Sequence, residues 1–152
     1  MKARSVVIAI AIVIATACAS AHAQESAPPV VEAIAGESAG TALQREVIER
    51  WARLSALRIR FGENHADVLG ERAALREAIA AMRRTRARVD RAAVARWIRD
   101  RIAEVDARLG ELSVSCSSGH PDVRTGQARR EALSEALTTI ERRGLFVPTL
   151  AL

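Results

Sequence analysis

Five side chains in this sequence are of types that could act together chemically. They are His65 and Asp67 in "FGENHADV", and Cys116, His120 and Asp122 in "CSSGHPDV". Imidazole, thiolate and carboxylate together bind zinc or copper, and Cys-x-x-x-His supplies two ligands from one turn. Metal signatures have a tighter grammar, however, and neither Cys-x-x-Cys nor His-Glu-x-x-His is present. The same residues also read as helix punctuation. Pro121 suits the first position of a helix, where its missing N–H costs nothing. That places His120 at the N-cap and Asp122 in the first turn, facing the positive end of the helix dipole. His65, Ala66 and Asp67 repeat the arrangement. Capping is the ordinary explanation, and a metal or small-ligand site at His65, Asp67, Cys116, His120 and Asp122 is the alternative that competes with it. No glycine-rich phosphate loop and no Gly-x-Ser-x-Gly occurs. The sequence therefore names no catalytic residue and no resident cofactor, and a noncatalytic protein is expected.

Such turns need helices on either side, and the periodicity supplies them. From Thr41 to Pro121 there is no proline, and apolar residues recur at steps of three and four. Leu43, Val47, Trp51, Leu54 and Leu57 form a first stripe, ending near Phe61 and Gly62. Val68, Leu75, Ile79 and Met82 form a second. Ile98, Ile102, Val105, Leu109 and Leu112 form a third, a seam of period 3.5. Leu133, Leu137 and Ile140 form a fourth, closed by Gly144 in the left-handed C′ position, with Leu145 expected to meet Ile140 across a Schellman turn. The boundary between the second and third is the least marked, because "RRTRARVDRAAVAR" holds neither Gly nor Pro. Asp90 as an N-cap, with Val89 and Val94 as a hydrophobic staple, breaks the chain there. One helix over 67–113 is the competing reading, and it would run ~70 Å at 1.5 Å per residue.

The broken reading gives a helical domain over 41–144, built of hairpins at about 41–84 and 91–143. A flexible linker over 24–40 precedes it and a tail over 145–152 follows. An offset of 55 residues lays Glu49, Ala52, Arg53, Leu54, Leu57, His65, Asp67, Val68 and Ala73 on Glu104, Ala107, Arg108, Leu109, Leu112, His120, Asp122, Val123 and Ala128. Each hairpin thus matches the other. The expected fold is all-α, with two helical hairpins forming a small antiparallel bundle or a coiled-coil-like assembly, and with the His65 and His120 turns sharing one end.

At the first turn a likeness to known proteins emerges. "LRIRFGENHADVLGERAALREAI", Leu57 to Ile79, resembles the Tyr/Phe-Gly-x-x-His-Pro-x-Val segment and following helix in the periplasmic helical hairpins of polysaccharide chain-length determinant proteins. It is also similar to the Gly-x-x-His-Pro-Asp-Val turn of some tetratricopeptide repeats. The likeness covers 23 of 152 residues. Ala66 stands where those families have proline, and Pro121 supplies it in the second copy. The sequence shows no second membrane-spanning run of the chain-length determinant kind, and the 55-residue offset departs from the tetratricopeptide period of about 34. The resemblance implies a periplasmic helical hairpin and attaches no role to any residue.

Destination is written at the N-terminus. Lys2 and Arg4, the run "VVIAIAIVIATA" and the small-x-small "AHA" at Ala21 to Ala23 form a signal peptide over 1–23, with cleavage expected after Ala23. Thr16, Cys18 and Ser20 interrupt the run before it reaches the ~20 apolar residues of a spanning helix. "ATAC" also gives Cys18 a partial lipobox, so a lipid-anchored protein is the alternative. Either way the remainder is expected outside the cytoplasm, in the periplasm.

Removing Lys2 and Arg4 lowers the formal net charge from +5 to +3, and the 22 arginines stand against that single lysine. A genome rich in G and C gives the same bias. There is no Tyr, and the aromatics are Trp51, Phe61, Trp97 and Phe146. The chain lacks stacking platforms for single-stranded nucleic acid, which is not an expected partner. Arg83, Arg84, Arg86, Arg88 and Arg91 could contact an anionic surface, although such a run is more often a solvated turn. Cys116 is the one cysteine beyond the signal segment; it takes the repeat position of Phe61, is expected to be mostly buried, and is not expected to pair with a second copy. The function these readings favour is an interaction protein of the envelope, binding a protein partner or a second copy through Ile98, Ile102, Val105, Leu109 and Leu112. A metal- or ligand-binding module at the His65, Cys116 and His120 end is the alternative.

Overall fold

A computed structural model of the chain describes residues 38–149. The signal peptide, Cys18, most of the expected linker and the last three residues lie outside the described residues. Four helices follow one another: α1 (Ala39–Phe61), α2 (Ala66–Thr85), α3 (Arg91–Ser115) and α4 (Pro121–Arg143). Among the described residues there is no strand. The protein is an all-α bundle, as the periodicity requires.

The packing order differs from the chain order. α1 packs on α2 and on α4, α4 packs on α3, and α2 has no substantial contact with α3 or α4. The hairpins are therefore joined through α1 and α4. Side-chain pairs fix the directions: Arg50 meets Glu71 at 3.4 Å between α1 and α2, and Asp106 meets Arg130 at 2.6 Å between α3 and α4. Gln44 reaches Phe146 at one end of the α1–α4 pair, and Arg60 approaches Asp122 at the other. Neighbouring helices run antiparallel. The α1–α2 and α3–α4 turns share one end, and the α2–α3 linker lies at the opposite end.

The core follows from this order. Val68, Leu75, Ile79 and Met82 of α2 are all buried, as the second stripe requires. α1 buries Val47, Ile48, Ala52, Leu54 and Ala56, a wider band than its stripe, because helices flank it on several sides. α3 buries only Val94, Ala95 and Ile98, all near its start. Ile102 and Val105 are partly buried against the core.

The chain breaks between α2 and α3 at the cap read from sequence: Asp90 Oδ1 accepts the Ala93 N–H at 3.0 Å, and Val94 is fully buried. Two boundaries need correction. α1 begins at Ala39 with Ser38 as its N-cap, inside the segment expected to be a linker. The small residues there serve a close approach. Ser38 Oγ donates to the Arg88 carbonyl at 2.7 Å, the Asp90 N–H donates to Thr41 Oγ1 at 2.8 Å, and a Cβ on Gly40 would lie 2.6 Å from the Ala87 carbonyl oxygen. The expected tail also returns to the core. Phe146 is 2% exposed, lies 6.4 Å from Trp51 between ring centroids, and accepts a hydrogen bond at its carbonyl from Gln44 Nε2 at 2.9 Å. Leu145, expected to close a Schellman turn, is 42% exposed. Gly144 has φ 80° and donates its N–H to the Ile140 carbonyl at 2.8 Å, which is the simpler left-handed cap.

Candidate functional site

Helix capping occupies the histidines. His65 Nδ1 accepts the Asp67 N–H at 3.3 Å, and His120 Nδ1 accepts the Asp122 N–H at 3.3 Å. The His65 ring also stacks on Phe61, with centroids 4.4 Å apart and planes 15° from parallel. Each imidazole thus directs a ligating lone pair back into its own helix. Cys116 is the C-cap of α3 and is half-buried, not mostly buried as expected; its N–H donates to the Leu112 carbonyl, and its Sγ lies 3.7 Å from Ser115 Oγ. The two turns do share an end, yet among the described residues no group of three or more His, Cys, Asp or Glu side chains is placed to hold a metal.

The arginine run is divided. Arg83 and Arg84 lie in the last turn of α2, where cations suit the helix dipole. Arg86 takes the left-handed C-cap position at φ 47°. Arg91 is exposed, and its guanidinium donates to the carbonyls of Ile140 and Glu141 at 3.2 and 2.8 Å, closing the end of α4.

The largest departure from the sequence reading lies along the third stripe. Ile98 is spent in the core, and only Val105, Leu109 and Leu112 line open space. Gly126 of α4 makes room for Leu109, since a Cβ there would meet Leu109 Cδ2 at 2.7 Å. Together with Ala56, Leu57 and Phe61 of α1, these residues floor a groove of ≈ 330 Å³ between α1, α3 and α4.

Charge around this groove is one-sided. Arg53, Arg60, Arg108 and Arg129 line it, and Asp122 is its one carboxylate. Arg129 is held by Glu49, which also accepts from Arg101 at 3.2 Å. Burial is the largest single influence on Arg101 and opposes its charge, but the hydrogen bonds and charges of Glu49 and Glu104 together outweigh it and hold the guanidinium pKa above its ordinary value. Three cations are not hydrogen-bonded to a carboxylate. Arg53 is 66% exposed and lies 3.8 Å from Glu71, Arg60 lies 3.9 Å from Asp122, and Arg108 has no ion-pair partner among the described residues. Arg53 and Arg108, like the floor residues Leu57 and Leu112, are related by the 55-residue offset, so the repeat supplies one arginine and one leucine to each wall.

Sequence reasoning passed over Arg53, Arg108 and Gly126 as site residues. Gly126 carried a signal, because glycine inside a helix is about 1 kcal/mol worse than alanine and marks a close approach. The groove has the apolar floor and few polar groups of a binding site; its one hydroxyl, on Thr125, donates to the Pro121 carbonyl at 2.7 Å, and its one carboxylate, Asp122, faces Arg60. Comparison with protein-family models, curated proteins and solved structures finds no match to the chain.

Proposed function

We propose that the chain is a noncatalytic helical protein, exported to the bacterial envelope, that works by docking another protein in the groove between α1, α3 and α4. The observation that carries this reading is the half-buried seam of Val105, Leu109 and Leu112 on the floor of an arginine-lined groove. A seam of period 3.5 is completed by a facing helix, and α3 lacks one on this side. Export rests on Lys2, Arg4, the apolar run and the Ala21 to Ala23 site. Among the described residues no helix is long and apolar enough to cross a membrane.

In vivo photocross-linking tests the docking reading. A photoreactive side chain at Leu112 or Val105 should give a discrete protein adduct, and one at Leu69, on the exposed face of α2, should not. Absence of any adduct from Val105, Leu109 and Leu112 in cells holding the folded protein would overturn it. N-terminal sequencing of envelope-borne protein checks the export half, with Gln24 expected first.

A further inference from the structure

We infer that the groove's occupant is an α-helix whose apolar seam is flanked by acidic residues, an inference that rests on the groove being a protein-docking face. Length is the first argument. The α1 wall runs from Arg53 to Phe61, eight residue steps or about 12 Å of helix. A helix laid in a groove anchors through residues at i, i+3 or i+4, and i+7, a span of about 10 Å. Val105, Leu109 and Leu112 are spaced by four and three, so the α3 wall presents the complementary seam.

Charge then selects among helices. With Leu109 at an a position, Arg108 falls at the preceding g position, where interhelical ion pairs form. Arg53 and Arg60 stand on α1, so the loosely held charge is divided between two walls. A partner helix with glutamates on both flanks of its seam satisfies the guanidiniums of both walls. A single-headed anionic amphiphile offers one carboxylate to guanidiniums that stand on two walls. A second copy of this chain, seated groove to groove about a two-fold axis, would set Arg53 and Arg108 against their own counterparts, and like charges in contact oppose that pairing.

The test uses the purified protein and three fluorescent synthetic peptides of about three heptads. One has a Leu/Ile seam flanked by Glu, one has the same seam flanked by Lys, and one keeps the Glu residues with the seam scrambled. Fluorescence anisotropy should show binding of the Glu-flanked peptide, at least about tenfold weaker binding of the Lys-flanked peptide, and none of the scrambled one. The double variant Arg53→Glu and Arg108→Glu, with its helical circular dichroism retained, should reverse the preference. Arg53→Lys with Arg108→Lys should keep most of it. Equal affinity for the Glu- and Lys-flanked peptides, or an unaltered preference in the charge-reversed variant, overturns the inference. So does laurate binding that Leu112→Glu abolishes while no peptide binds, which would make the groove an amphiphile site. Groove cross-links in cells without binding of the Glu-flanked peptide overturn the acidic-helix inference and leave the docking reading standing; loss of both overturns both.

Discussion

Gly40 and Gly70 are both helical glycines, and their surroundings give them opposite roles. At Gly40 a Cβ would meet the carbonyl oxygens of Ala87 and Arg88 at 2.6 and 2.7 Å, and backbone atoms cannot move aside cheaply. At Gly70 a Cβ would meet nothing within 4 Å. Gly40→Ala is therefore expected to lower stability by about 1–3 kcal/mol through overpacking. Gly70→Ala is expected to raise it by about 0.5–1 kcal/mol through reduced chain entropy. Urea unfolding of the two variants checks the pair, and shifts of the same sign would mean that α1 does not press on the linker. Glu63, in the α1–α2 turn, makes a pH-dependent contribution. Its hydrogen bond from Arg58, together with the charges of Arg58 and Arg72, outweighs desolvation and holds its carboxyl below the usual carboxylate range. A carboxyl with a depressed folded-state pKa stabilises fully above its unfolded pKa and loses that contribution as pH falls through the folded one. The difference in melting temperature between wild type and Glu63→Gln is expected to favour wild type near neutrality and to vanish in acid. A difference that grows toward low pH would contradict the assignment.

Among the elements, the C-terminal segment is the one whose role most exceeds its appearance. Phe146 fills a core position beside Trp51, whereas its neighbour Leu145 faces solvent. Phe146→Ala is expected to cost about 3–5 kcal/mol, as other large core truncations do, and Leu145→Ala to stay within about 0.5 kcal/mol. Chemical denaturation separates them, and equal effects would place the segment outside the core. The contrast also shows what the sequence could convey. Caps at His65, Asp90, His120 and Gly144 were legible because each depends on atoms within four residues of itself. The α2 stripe was legible because α2 packs substantially only on α1, so a single face had to be apolar. Ser38, Gly40 and Phe146 were not, since their partners lie far along the chain: Arg88 is 50 positions from Ser38, and Phe146 is 102 from Gln44. The third stripe was over-read for a related reason. Its period is continuous from Ile98 to Leu112, but the core uses its beginning and the groove its end, and nothing local marks the change. The groove itself was hidden because it depends on α1 lying beside α4, a choice made between hairpins.

For the molecule as a whole, that choice decides which parts open first. Hairpin order suggests two equal units, α1 with α2 and α3 with α4. The packing instead centres on α1 and α4, with α2 on one flank and α3 on the other. Glu49 of α1 reinforces the centre by accepting from both Arg101 of α3 and Arg129 of α4. Past Ile102 the outer side of α3 is exposed: Ala103, Glu104, Asp106, Ala107, Gly110 and Glu111 face water, and Val114 is 89% exposed. Local opening is easiest where buried apolar contacts are few and backbone hydrogen bonds are near solvent. Native-state hydrogen exchange is therefore expected to be slowest in the buried middle of α1 and in α4 from Ala132 to Ile140, intermediate in α2, and fastest among helices over residues 103–115. A helix bound in the groove should slow exchange in that last segment, because it covers Val105, Leu109 and Leu112. Equal protection within each hairpin, with α1 and α2 exchanging as one unit and α3 and α4 as another, would show that the hairpins are the cooperative units and that the α1–α4 contact adds little. The expected gradient places the most easily opened helix beside the groove, where ordering on binding costs the rest of the bundle least.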